Sequence, residues 1–249
     1  MSASLPAAEL VGLPAAGRRF TATNEVRLGD CDPGGRLRLD ATARLLQDIA
    51  NDDARDAGLD NANGWVVRRT LIEVRQPAVL AEQLTLTTFC GGFGRSWAER
   101  RTSIVGDRGA AIEAASLWVQ IDIERGRPAP LGATFHERYA EAAGGRLVSS
   151  RLSLPAPPPD SPSTAWPVRA ADLDVFGHVN NAVAWTVLEE RLATADSRAG
   201  TAAVEYPAAL DRSTAQLVTS DEPARPGAFD AWLLVDGGVR VSARWRPTD

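Results

Sequence analysis

Arg27-Leu-Gly-Asp30-Cys-Asp32-Pro-Gly-Gly35-Arg36 and Arg169-Ala-Ala-Asp172-Leu-Asp174-Val-Phe-Gly177-His178 are two versions of one phrase. Each reads Asp-x-Asp-x-x-Gly, follows a short strand-like run and precedes a helical pattern. The arginine, both aspartates and the glycine keep the same offset. Self-similarity of this kind signals an internal duplication, so two related halves are expected.

Outward from the first turn, Arg19 to Leu28 alternates loosely as a strand. Leu39 to Asp56 reads as a helix, with Leu45, Leu46, Ile49 and Ala50 on one apolar face. Asp40 suits the positive helix N-terminus, and Gly58 is a natural stop. Strands are predicted at Trp65 to Arg75, Gln83 to Phe89, Ser96 to Val105 and Ala111 to Ile123. In the last, Leu117, Val119, Ile121 and Ile123 alternate with Trp118, Gln120 and Asp122, the pattern of a half-buried strand.

The second half repeats the order in shorter form. Ala165 to Arg169 is a predicted strand and Val179 to Ala195 a helix, with Val179, Val183, Thr186 and Val187 on one face. Strands follow at Ala202 to Tyr206, Thr214 to Thr219, Ala228 to Val235 and Val239 to Trp245. Pro155, Pro157, Pro158, Pro159 and Pro162 mark a partly extended linker. The expected organisation is an N-terminal tail at 1–17, a first repeat at 18–140, a Pro-rich linker at 141–163 and a second repeat at 164–249. One long helix against one curled antiparallel sheet is an α+β layer. This order resembles the hotdog fold, and two copies in one chain imply a tandem, double hotdog.

Composition narrows the function classes. The chain has 249 residues, 44% hydrophobic and 24% charged, as ordinary globular proteins have. No apolar run reaches the roughly 18 residues of a membrane helix. Met1 to Gly17 lacks the pattern of a signal peptide, so the expected location is the cytoplasm, without membrane insertion. A net charge of −5, with all 27 basic residues arginine, argues against nucleic acid held on a broad basic face. Cys31 and Cys90 are too few for a disulfide framework. With His136 and His178 they show no metal-ligand spacing, so no metal or cofactor is expected.

Asp30, Asp32, Asp172 and Asp174 stand in turns before helices. Helix N-termini present free N–H groups and partial positive charge, which can hold a developing oxyanion. A carboxylate beside them can act as general base or nucleophile. Asp and Gly are also ordinary cap and turn residues. The run from Asp172 to Asn181 is more specific, because it clusters two carboxylates, His178 and the carboxamides of Asn180 and Asn181. His136 has no such company and reads as a surface residue. There is no Gly-x-Ser-x-Gly elbow of a serine hydrolase.

Gly177-His-Val-Asn-Asn181 after the Asp turn resembles the hotdog thioesterases, and the order of motifs resembles the double-hotdog acyl-ACP thioesterases of plants and bacteria. The resemblance extends through Gly64-Trp-Val-Val-Arg68, Leu71-Ile-Glu-Val, Phe93-Gly-Arg-Ser-Trp97 with Arg100-Arg101, Ser116-Leu-Trp-Val-Gln-Ile-Asp122, and Arg127-Pro128. It implies hydrolysis of a fatty acyl thioester on acyl carrier protein, with acyl-CoA as the alternative carrier. It makes Asp174 and His178 the catalytic pair and Gly177, Val179, Asn180 and Asn181 the substrate-binding residues. Backbone N–H groups from Gly177 to Val179 would polarise the thioester carbonyl, and the acyl chain would lie between helix and sheet. The chain departs from the family pattern where an Asn is replaced by Phe176, and where an acidic residue followed by Cys is replaced by Ala209 and Leu210. The turn from Gly29 to Gly35 also resembles that of single-hotdog 4-hydroxybenzoyl-CoA thioesterases. Asp32 is therefore a third catalytic candidate, with Arg36 in the place of His178.

A hotdog hydratase or dehydratase and a non-catalytic acyl-thioester-binding protein are the competing readings. Docking of an acidic carrier would need a local arginine patch. Arg68, Arg69 and Arg75, or Arg95, Arg100 and Arg101, are available, but alternating strands place such residues on a solvated face and none is assigned. Monomer and homodimer are both compatible with the duplication.

Overall fold

The computed structural model describes residues 10–59, 63–193 and 199–248. Strand β1 (Phe20–Glu25) leads through a 3-10 turn at Leu28–Asp30 to helix α1 (Leu39–Asp56). Long strands β2 (Asn63–Gln76), β3 (Gln83–Phe93), β4 (Trp97–Gly106) and β5 (Ala111–Asp122) follow, then the two-residue β6 (Arg127–Pro128) and helix α2 (Ala133–Ala143). After β7 (Ser163–Pro167), 3-10 turns at Ala170–Asp172 and Val183–Trp185 precede helix α3 (Thr186–Leu192). Strands β8 (Gly200–Glu205), β9 (Thr214–Asp221), β10 (Phe229–Val235) and β11 (Gly238–Pro247) complete the described chain.

All strands join one antiparallel sheet in the order β1-β3-β4-β5-β2-β8-β11-β10-β9-β7, with β6 beside β5. The halves meet where β2 pairs with β8, from Arg69 opposite Glu205 to Val74 opposite Gly200. Helices α1 and α3 pack against the sheet and against each other. One core runs through both halves, from Leu39, Leu46 and Ile49 on α1 to Leu188 on α3 and Trp245 on β11. This is the expected α+β double hotdog, and among the described residues no helix is long and apolar enough to cross a membrane.

Helix α1 spans the expected residues. Its buried stripe includes Leu39, Ala43, Leu46, Ile49, Ala50 and Asp53, and Gly58 follows it at φ +68°, a conformation that favours glycine. Two helical expectations change. Helix α2 occupies residues expected to lead into and begin the linker: Phe135, Tyr139, Ala142 and Ala143 are buried at helical spacing, and Gly144 ends the helix in the left-handed region. The chain from 144 to 162 then has neither helix nor strand. The helix expected from Val179 is α-helical only at Thr186–Leu192, and the last two expected positions, 194 and 195, lie outside the described residues. The Val179 N–H bonds to Leu210 O (2.8 Å) and the Asn180 N–H to Asp172 O (2.8 Å), as Leu37 and Arg38 bond to Ala78 O and Asp30 O before α1, but here the next turn, Val183–Trp185, is 3-10 rather than α-helical. The Asn180 side chain then accepts from the Ala182 N–H at 2.9 Å, as an N-cap residue does.

Arg100 and Arg101 are not on a solvated face. Arg100 pairs with the buried carboxylate of Asp53 on α1. Arg101, 1% exposed, bonds to Glu113 and to the Ala114 carbonyl. Asp53 also accepts from Arg18 (2.7 Å) and the Tyr139 hydroxyl (2.9 Å), tying the N-terminal segment and α2 to the middle of the fold.

Candidate active site

The two Asp turns share one hydrogen-bond pattern. Asp32 N–H donates to Arg36 O, and Asp174 N–H to His178 O, both at 2.8 Å. Gly35 N–H donates to Asp32 O (2.9 Å) and Gly177 N–H to Asp174 O (3.0 Å). Arg36 N–H reaches Asp32 Oδ1 (2.9 Å), and His178 N–H reaches Asp174 Oδ1 (3.2 Å). Arg38 N–H meets Asp30 O at 2.9 Å as Asn180 N–H meets Asp172 O. Gly35 and Gly177 both sit at φ +80°, where a Cβ is strained, so the glycine of the repeated phrase is required by backbone geometry. Asp30 and Asp172 close their 3-10 turns by accepting from the N–H of Arg27 (3.3 Å) and Arg169 (2.8 Å).

The turns differ in what surrounds them. In the first, the Asp32 side chain is 7% exposed and takes Arg36 Nε at 3.1 Å. The far side of the same guanidinium donates to both oxygens of Glu189 on α3, at 3.2 and 2.5 Å. Glu189 Oε1 also accepts from the Leu39 N–H, the first of α1, at 2.5 Å. Burial opposes the Arg36 charge, but the bonds to Glu189 and the charges of Glu189 and Asp32 outweigh it and raise the Arg36 pKa. The start of α1 thus already holds a carboxylate, and Asp32 already holds a cation.

In the second turn Asp174 is half-buried and its Oδ1 accepts from the N–H of Phe176 (2.9 Å) and His178 (3.2 Å). His178 points to solvent at 53% side-chain exposure, with Nε2 3.6 Å from Oδ1 of Asp211, itself 73% exposed. The two residues also form an isolated antiparallel bridge, which fixes the loop carrying Asp211 beside the turn. Ala209 is exposed and Leu210 is in the core. An acidic partner for His178 therefore stands at Asp211, two positions beyond the place the resemblance pointed to. Val175 and Phe176 are exposed at the tip of the turn. The N–H groups of Gly177, His178 and Val179, expected to face a thioester carbonyl, all bond within the protein, to Asp174 O, Asp174 Oδ1 and Leu210 O. His136 is exposed on α2 and stacks edge-on against Phe93.

Asn181 connects the turn to the interior. Its carbonyl accepts from the Tyr206 hydroxyl (2.9 Å), which in turn accepts from Trp185 Nε1 (3.0 Å). Burial raises the Tyr206 pKa above its ordinary value, so the hydroxyl stays protonated. Asn181, Trp185 and Tyr206 line a cavity with Ala43, Leu46 and Gln47 of α1 and Trp118 of β5. A second, mostly apolar cavity continues along the helix, past Ala50 and Ala54, to Phe135 and Tyr139 of α2, and Trp118 lines it as well. Positions 43, 46, 47, 50 and 54 form one face of a helix. The two cavities, of about 10 Å³ and about 60 Å³, thus lie along one helix face, a track about 16 Å long at 1.5 Å per helical residue.

Fold comparisons place this geometry in the double-hotdog class. The structure superposes on an acyl-ACP thioesterase from Bacteroides thetaiotaomicron with a TM-score of 0.77 at 18% identity, covering 92% of this chain and 97% of that one. It superposes on the 12:0-ACP thioesterase from Umbellularia californica with a TM-score of 0.73 at 20% identity, covering 96% and 100%. An uncharacterized protein of Mycobacterium tuberculosis is 29% identical over 184 residues, 74% of each chain. Residues 17–139 match the acyl-ACP thioesterase N-terminal domain and residues 157–199 the C-terminal domain. The chain belongs to the acyl-ACP thioesterase family, whose members are thioester hydrolases.

Proposed function

We propose that this thioester hydrolase releases fatty acids from acyl carrier protein at the second Asp turn, with the acyl chain laid along the α1 track. The observation that carries the choice of turn is the different fate of two equivalent aspartates. Asp32 is neutralised by Arg36 and its helix start is filled by Glu189. Asp174 carries no cation of that kind among the described contacts and lies next to an imidazole–carboxylate pair.

In this reading Asp174 activates a water for attack on the thioester carbonyl, or attacks it to form an anhydride that water opens. Either route breaks the C–S bond and yields a carboxylic acid and a thiol. His178, steadied by Asp211, orients the reacting groups and supplies the proton taken by the thiolate. The exposed position of the turn suits delivery of the acyl group on a carrier, and Asn181 stands where the surface turn gives way to the track. Gly177, Val179 and Asn180 hold the turn in shape rather than offering N–H groups to the carbonyl. The free thiols of Cys31 and Cys90 suit a reducing cytoplasm. Thiol release from a chain-length series of acyl-ACPs, run beside the matching acyl-CoAs, tests the proposal. Release from acyl-ACP in preference to acyl-CoA is expected, and no release from any thioester overturns it.

A further inference from the structure

We infer that Gln47 of α1 is a catalytic residue of the second Asp turn, its side-chain N–H holding the thioester carbonyl oxygen as the tetrahedral intermediate forms. The inference rests on reading that turn as the active site. Hydrolysis there gathers negative charge on the carbonyl oxygen, and a donor already in place for it is a large part of such catalysis. The turn itself has little to give. The N–H groups of Phe176, Gly177, His178, Val179 and Asn180 are all taken within the protein, so the donors have to come from beyond them.

The internal repeat points to Gln47. The spacing that relates Asp32 to Asp174 also relates Gln47 to Glu189 and Leu39 to Asn181. Leu46 and Leu188, one position earlier, are both buried, so the two helices keep the same face inward. Glu189 crosses from α3 to the first turn, where it takes Arg36 and the Leu39 N–H. Gln47 stands in the reciprocal place. It lines one cavity with Asn181, Thr70 and Tyr206, and α1 packs against Val183–Trp185, just after Asn181. Among the described residues neither the Gln47 carboxamide nor the Asn181 N–H, the counterpart of the Leu39 N–H, has a hydrogen-bond partner. The chemistry of the two positions differs in the sense the reaction needs. The Glu189 carboxylate only accepts, and it fills the first turn. A carboxamide is neutral and donates, so Gln47 leaves the Asn181 N–H open and sets a second donor beside it for one oxygen. On the water route Asp174 takes the proton of the attacking water, charge gathers on the carbonyl oxygen, and its collapse breaks the C–S bond and expels the thiolate, which His178 protonates. Gln47 gains and loses no proton in these steps.

Steady-state thiol release from acyl-ACP by the full-length Gln47→Leu and Gln47→Glu variants, run beside the wild type and Asp174→Ala, tests this. Gln47→Leu should lose about 10²-fold in kcat, the worth of one oxyanion donor, with KM unchanged. Circular dichroism and urea midpoints of both Gln47 variants should match the wild type, because the side chain is partly exposed and bonds to nothing in the described structure. Gln47→Glu reproduces the carboxylate of the first half and stands independently if the first variant does not fold. Its kcat relative to the wild type should be lowest near about pH 8 and rise as pH falls toward about 5, because a carboxyl regains an O–H donor as it protonates. An unchanged kcat in Gln47→Leu, a loss confined to KM, or a ratio for Gln47→Glu that stays flat with pH would each overturn the inference. Asp174→Ala separates the two levels. If it loses turnover while the Gln47 variants keep theirs, the choice of turn stands and only the inference falls. If it keeps full turnover, the choice of turn fails and the inference falls with it.

Discussion

The guanidinium of Arg36 donates to the carboxylate of Glu189 at 2.5 Å, so a helix of the second half closes the Asp turn of the first. The same carboxylate takes the first N–H of α1, and the same guanidinium holds Asp32. One contact thereby joins the repeats and fills, in the first half, the place equivalent to the proposed active turn.

Removing Glu189 leaves Arg36 buried with a single carboxylate and uncaps α1. Breaking a buried pair from one side costs about 3–5 kcal/mol, and Glu189→Ala is expected to lose stability on that scale. Urea unfolding measures it directly. A loss below about 1 kcal/mol, the range of surface pairs, would mean that the contact does not hold the halves together.

Acid stability should depend on Asp40. Burial pushes its carboxyl pKa up, but hydrogen bonds from Arg38 and Arg44 outweigh burial and hold it below the usual carboxylate value. A carboxyl with a depressed folded pKa contributes its full stability above the unfolded pKa, about 3.9, and loses it as pH falls through the folded value. Asp40→Asn should therefore be less stable than the wild type at neutral pH, and the difference should shrink as pH falls below about 4. Urea midpoints across that window check the sign.

Asp211 should matter through His178. Asp211→Asn keeps the shape and removes the charge 3.6 Å from the imidazole, and a fall of about tenfold in kcat is expected. His178→Ala should cost about 10²–10⁴-fold, the range of general acid–base catalysis. The double variant should be little worse than His178→Ala alone, because the two act as a unit. Additive losses would place Asp211 outside the pair.

With the acyl chain laid along the α1 track, as proposed, chain length becomes a property of the first half. Ala54→Phe fills the cavity near Phe135 and Tyr139 without touching the second turn. Its kcat/KM for long acyl chains should drop by at least about tenfold, the worth of small volume changes in an apolar pocket, while short chains are unaffected. Competition among mixed chain lengths reads the shift.

Some of this architecture was legible in the residues. The duplication showed in the repeated Asp-x-Asp-x-x-Gly because its glycines must adopt φ +80°, and backbone constraints of that kind leave a mark on sequence. Helix α1 was bounded correctly because its apolar stripe is long and Gly58 ends it. Helix α2 was obscured by the prolines that follow, although Phe135, Tyr139 and Ala142 carry its periodicity. The second helix is shorter than its apolar spacing predicts because its first turn, Val183–Trp185, is 3-10, a difference that the spacing does not show. Asp211 and Glu189 are hidden for a different reason. Their importance comes from His178 and Arg36, which the fold brings to them across long stretches of chain, and neither stands in a motif of its own.

The most direct test compares thiol release from acyl-ACP by the wild type, Asp174→Ala and Asp32→Ala, each measured as folded protein. The account predicts a loss of at least about 10²-fold for Asp174→Ala. It predicts retained turnover for Asp32→Ala, whose damage should appear as lower stability instead. Turnover that survives Asp174→Ala and is lost with Asp32→Ala would contradict the account and return the chemistry to the first turn.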